Sequence, residues 1–109
     1  MRHAARRDEN EQEIVDAFES DGWGVAKLSE PGVPDLAVGW GFVLFFVEAI
    51  GPEKAKRYRK TCGLTPKQVE WREKHPEFAE SVFEVFNADG AKRLSQKMEW
   101  RITRCRGEI

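Results

Sequence analysis

Apolar positions recur along this chain first at helical and then at strand spacing, and their order sketches a fold. In "DENEQEIVDAFESDG", Ile14, Val15 and Phe18 share one stripe, which predicts an amphipathic helix. Asp8 can cap that helix, Glu11 falls three residues later as in a capping box, and Gly22 is a natural stop. "WGVAKLS" reads as a strand, and "EPGVPD" as a loop, because its two prolines continue neither regular structure. "DLAVG" and "FVLFFVEAI" are predicted as two strands joined at Gly39, Trp40 and Gly41. The second is apolar at nearly every position until Glu48, the pattern of a central strand buried on both faces.

From Gly51 to Gly63 the chain is basic and reads as a loop. "LTPKQVEWREKH" then gathers several helix-start signals. Thr65 can be the N-cap, Pro66 takes the first helical position, and Gln68 completes a T-x-x-Q box. Leu64 and Val69 can form the hydrophobic staple, and Pro76 closes the helix. "ESVFEVFN" alternates as a strand, with Val82, Phe83, Val85 and Phe86 available to a core. "ADGAKRLSQKM" is a weaker helix with Ala91, Leu94 and Met98 on one face, and "EWRITRC" fits either a last strand or an ordered tail. The order is αβββαβα, helices on a mixed sheet in an α/β or α+β arrangement. At 109 residues, 1–109 is expected to form one domain.

Composition narrows the picture in two places. Eighteen Lys and Arg stand against 19 Asp and Glu, so net charge points to no particular partner. Local charge is less even: Arg2, Arg6 and Arg7 sit at one end, Arg101, Arg104 and Arg106 at the other, and Lys54, Lys56, Arg57, Arg59 and Lys60 crowd the middle. Such runs are either solvated surface or the footprint of an anion. Cys62, Cys105, His3 and His75 make no zinc spacing, and two reduced thiols suit an intracellular protein. The longest apolar run, Phe42 to Val47, is far short of the ~20 residues that span a bilayer, and "MRHAARRDEN" lacks the apolar centre of a secretory signal. A soluble, cytoplasmic protein with no membrane partner is the expectation.

Glu48 is the position that calls for chemistry, because a charge ending an apolar central strand is costly unless it is paired. If Trp40 and Gly41 lie outside the ladder, Gly39 pairs with Phe42 and Asp35 with Phe46. Asp35, Phe46, Glu48 and Ile50 then share one face, with the two carboxylates diagonal to each other and ~7–8 Å apart at the backbone. A three-residue turn would put them on opposite faces. Two such carboxylates repel unless something positive lies between them, and hard oxygen ligands suit Mg²⁺ or Mn²⁺. Glu11, bordering the buried stripe of its helix, can lean toward them. Structural roles stay open as well: Asp35 can end a turn after Pro34, Glu11 can close its capping box, and Gln68 can serve only its own.

"PD" at Pro34 and Asp35, followed thirteen residues after Asp35 by "EAI" from Glu48 to Ile50, resembles the PD-(D/E)XK nuclease core. "EQEIVDAFESDGW" is similar to the first helix of archaeal Holliday-junction resolvases, and "GVPDLAVG" with "GLTPKQVEW" resembles the phage and bacterial VRR-NUC branch. The resemblance covers about residues 9–86, leaving 87–109 as a C-terminal helix and tail. It implies a restriction-endonuclease-like αβββαβ core with a central mixed sheet flanked by helices. It further implies a metal-dependent DNA endonuclease, acting on branched or flapped DNA in a bacterial or phage-infected cell, and usually a homodimer.

Carried over residue by residue, the resemblance assigns a Mg²⁺ or Mn²⁺ to Asp35, Glu48 and the main-chain carbonyl of Ala49. Glu11 would bind the metal directly or through water, and Gln68 matches a frequent active-site glutamine. Lys54, Lys56, Arg57, Arg59, Lys60 and Lys67 would contact DNA phosphates. The family's lysine, which positions the attacking water, falls at Ile50, and Ile50 can neither donate a hydrogen bond nor carry charge. Three readings follow. The chain is a substituted form of an active nuclease, or it is a pseudo-nuclease that binds nucleic acid or a protein partner as an adaptor or inhibitor. In the third, a lysine reaches the site from elsewhere: Lys54 and Lys56 are nearest in sequence, and Lys67 lies a residue before Gln68.

Overall fold

The computed structural model describes residues 10–107, with side chains up to residue 100. Helix α1 spans Glu11–Ser20, with Asn10 in the N-cap place. Glu11 therefore opens the helix instead of closing a capping box; Asp8, the cap read from sequence, lies outside the described residues. Gly22, at φ +94°, ends the helix as expected, and the Gly22 and Trp23 amides bond back to the Glu19 and Phe18 carbonyls.

Three antiparallel strands follow in a meander: β1 (Gly24–Lys27), β2 (Leu36–Trp40) and β3 (Val43–Ala49). The β2–β3 turn has two residues, but they are Gly41 and Phe42, not Trp40 and Gly41. Trp40 pairs with Val43 and Leu36 with Val47. Gly41 has φ +61°, the positive value a tight hairpin turn needs at its first central position, so the turn centres on that glycine and Trp40 stays in the ladder. The register moves by two residues relative to the expectation. A shift of two preserves the faces, so Asp35 and Glu48 still share one. They are now directly opposite across the strand pair instead of diagonal.

The segment expected to be a loop is partly helical. Gly51 is the extended N-cap and Pro52 sits in the first turn of α2 (Pro52–Arg57), which continues through a 3₁₀ turn at Arg59–Thr61. Helix α3 (Pro66–Lys74) begins with the full Thr65–Gln68 capping box, and a 3₁₀ segment, Pro76–Ser81, follows it. Strand β4 (Val82–Val85) then pairs parallel to β3, giving a four-stranded mixed sheet in the order β1-β2-β3-β4 with β3 internal. Phe86 lies past the strand end and is exposed, not in the core. Helix α4 runs through Ala88–Gly107, so "EWRITRC" continues a helix and is neither strand nor tail.

Helices α1 and α4 cover one face of the sheet. Their Ile14, Phe18, Ala91, Leu94 and Met98 pack on Leu36, Val38, Phe45, Val47, Ala49 and Val85 as one buried cluster. Trp23 and Phe83 close on Phe45 with edge-to-face rings 5.2 and 5.9 Å away. The opposite face carries Phe46, Glu48 and Ile50, covered by the chain between β3 and β4. No helix among the described residues is long and apolar enough to cross a membrane.

Candidate functional site

The parallel pair β3–β4 brings its carboxyl ends to one edge of the sheet, the place where open α/β sheets present ligand-binding groups. Glu48, the last charged residue of β3, is fully buried there. Asp35, just before β2, is held opposite by its own backbone and side chain. Its carbonyl accepts from the Leu28 amide at 2.8 Å, and its Oδ2 accepts from the Ala49 amide at 2.9 Å. The preceding loop is pinned as well: a Cβ on Gly32 (φ +87°) would lie 2.9 Å from the Lys67 carbonyl, so only glycine lets this turn approach α3 so closely.

Helix α3 supplies the roof. Gln68 does two jobs with one amide, its Oε1 accepting from the Thr65 amide at 2.9 Å and its Nε2 donating to Glu48 Oε1 at 2.8 Å. The capping role read from sequence is therefore real, and the same geometry aims the other end of the amide at the carboxylate. One helical turn on, Arg72 places Nη2 2.7 Å from Glu84 Oε2 and 3.8 Å from Glu48 Oε2. Glu84 is the β4 partner of Glu48 on the same face. Neither Arg72 nor Glu84 emerged from the sequence reading. The i,i+4 spacing from Gln68 and the alternation of "VFEV" carry that signal, but only once the parallel pairing of β3 with β4 is known.

Lys54, in α2, points inward, with Nζ 3.8 Å from Asp35 Oδ2 and its side chain 16% exposed. Lys56, Arg57, Arg59 and Lys60 instead line an outer groove of about 570 Å³, bounded on its far side by Leu64, Val69 and Glu73. Lys67 is exposed on the first turn of α3.

Glu48 Oε1 is satisfied by Gln68, yet Glu48 Oε2 accepts no hydrogen bond from any described group. Burial, reinforced by the Asp35 and Glu84 carboxylates, pushes the Glu48 carboxyl up to about 8 against the opposing pull of Arg72 and Lys54. Three carboxylates thus face two side-chain cations around one buried oxygen.

Glu11 is buried at the start of α1. Asn10 anchors it, its Nδ2 donating to the Phe86 carbonyl at 2.7 Å and the Ile50 carbonyl at 3.3 Å, which ties α1 to the ends of β3 and β4. The described residues contain no group of three or more His, Cys, Asp or Glu arranged to hold a metal. Asp35 and Glu48 share one face of the β2–β3 pair, and the Asp35 charge acts on Glu48. Ala49 turns its methyl to the core and gives its amide to Asp35.

Ile50 is 1% exposed, and a Cβ built on Gly63 (φ +94°) would meet its Cγ2 at 2.5 Å. The isoleucine is therefore the apolar seat on which the α2–α3 connection rests. Comparison with models of protein families, with curated proteins and with solved structures returned no match.

Proposed function

We propose that the chain is a divalent-metal-dependent endonuclease that hydrolyses phosphodiester bonds in DNA, with Asp35 and Glu48 as its metal-binding carboxylates. The carrying observation is the buried Glu48 oxygen without a hydrogen-bond donor, on a residue that shares its sheet face with Asp35. Both donors are hard oxygens, which suits Mg²⁺ or Mn²⁺, with water and the Ala49 carbonyl left to complete the shell. When bound, such an ion polarises a phosphate and activates water.

The chain's own residues divide the remaining work. Gln68 fixes the Glu48 carboxylate in one orientation, and Arg72 offsets Glu84 so that two neighbouring strands can each carry an acid. Lys56, Arg57, Arg59 and Lys60 line a cationic groove, where DNA phosphates would be held without reading of sequence. Nicking both arms of a branched junction needs two such sites, so the acting species is taken to be a homodimer.

Ile50 favours a second reading, a non-catalytic module that binds nucleic acid or a protein. Incubation with linear, flapped and four-way DNA in Mg²⁺ or Mn²⁺ separates the two. The nuclease reading expects cleavage that disappears with Glu48→Ala. Binding without cleavage on every substrate supports the module.

A further inference from the structure

Helix α4 concentrates charge that neither the carboxylate site nor the outer groove uses. Ala88–Gly107 holds six Lys and Arg against two Asp and Glu, while the rest of the chain holds twelve against 17. At about 100° per residue, Arg93, Lys97, Arg101 and Arg104 fall within about 80° of one another, in one stripe along the helix. The other flanks differ. Ala91, Leu94 and Met98 are buried in the core. Lys92, with Nζ 3.9 Å from Asp21 Oδ1, marks the flank toward α1, and Glu99, seven residues on, falls on that flank as well. Arg93 and Lys97 are exposed and form no ion pair with any described residue.

Two common reasons for cations on a helix do not account for this stripe. The helix dipole favours cations in the last turn, such as Arg104 and Arg106, but fades within that turn and does not reach Arg93 or Lys97. Salt bridging along the helix needs acids three or four places away, and Glu99 lies off the stripe. Taking the DNA partner of the nuclease reading but not its chemistry, we infer that Arg93, Lys97, Arg101 and Arg104 form a second surface for the DNA backbone. From Arg93 to Arg104 the helix rises about 16 Å, a length over which one strand of a duplex carries about five phosphates. A lipid surface fits less well. An interfacial helix buries its apolar face in the bilayer, and the apolar face of α4 is already buried in the core. Trp100, 60% exposed, adds only a single ring beside the stripe. Helix α4 packs on one face of the sheet, and α3, which lines the outer groove, packs on the other. The two cationic surfaces therefore hold different stretches of DNA, such as two arms of a branch.

The test measures binding of the full chain to fluorescein-labelled duplexes by anisotropy, over a salt series and in EDTA, where metal-dependent cleavage is off. Arg93→Gln with Lys97→Gln should weaken binding about tenfold or more and lower the slope of log affinity against log salt by about two, alike on unrelated sequences. Arg93→Lys with Lys97→Arg keeps both charges and should bind within about twofold of the unmodified chain. Both positions are exposed in mid-helix and glutamine is a good helix former, so the urea midpoint should not move. If the double variant does not fold, Lys97→Gln alone reads the same effect as a slope change of about one. Unchanged affinity and slope in the folded variant overturn the inference. Vesicles of anionic phospholipid form a second arm: vesicle binding abolished by the glutamine pair, with duplex binding unchanged, overturns it in favour of a lipid surface. No duplex binding in EDTA by a chain that cleaves DNA with Mg²⁺ overturns this inference and leaves the nuclease reading standing. Duplex binding weakened by the glutamine pair, in a chain that cleaves nothing, sustains this inference and overturns the nuclease reading.

Discussion

Glu48 concentrates the physics of this molecule in one side chain. A carboxyl pushed up to about 8 from an ordinary 4.5 is protonated in the folded chain over a range where the unfolded chain has released its proton. The folded state therefore binds more protons between those values, and stability falls as pH rises from about 4.5 through about 8. Below the unfolded value the contribution is fully present; above about 8 it is gone. Urea unfolding at pH 6 and pH 8.5 should show Glu48→Gln losing less stability across that interval than the unmodified chain, by on the order of 2 kcal/mol. Glutamine keeps an acceptor for Gln68, so the comparison isolates the charge. Equal pH slopes in the two chains would contradict the assignment.

At the scale of elements, α3 was the most legible part of the sequence and also the part that touches the site. Thr65, Pro66 and Gln68 specify its start through local chemistry, which does not depend on what the helix packs against. The second contact of Gln68 depends on the tertiary fold, and no local signal carries it. Thr65→Ala should cost about 1 kcal/mol as a lost cap. Gln68→Ala should cost more, about 2–3 kcal/mol, because it also strands a buried Glu48 oxygen. Thermal or urea unfolding of the two variants reads the difference, and equal losses would mean that the Gln68–Glu48 bond contributes little.

Elements that were misread failed for physical reasons. Helix α2 has only six residues and no buried one, so it offers no apolar stripe to detect; Gly51 and Pro52 were its only start signals. The β2–β3 turn was misplaced by one residue because Gly39 and Gly41 both suit a turn, and only Gly41 takes a positive φ. The carboxylate pair survived that error because faces repeat every two residues. The last helix was cut short because "EWRITRC" also alternates as a strand would.

For the whole molecule, a net charge of −1 makes any attraction to DNA a matter of where the charges lie. Lys56, Arg57, Arg59 and Lys60 line one groove and concentrate positive charge there. Reversing Lys56 and Arg57 to Glu should weaken binding to unrelated duplexes alike, and should lower the slope of log affinity against log salt by about two. An unchanged slope would remove this groove from the interface.

The proposed activity depends on Asp35 and Glu48 holding a divalent cation, and a Mn²⁺ titration followed by water-proton relaxation measures that directly. The expected result is one Mn²⁺ per chain at pH 8.5, weaker binding at pH 6 where Glu48 keeps its proton, and loss of the site in Glu48→Gln. No stoichiometric Mn²⁺ at pH 8.5, or the same binding in Glu48→Gln, would contradict it.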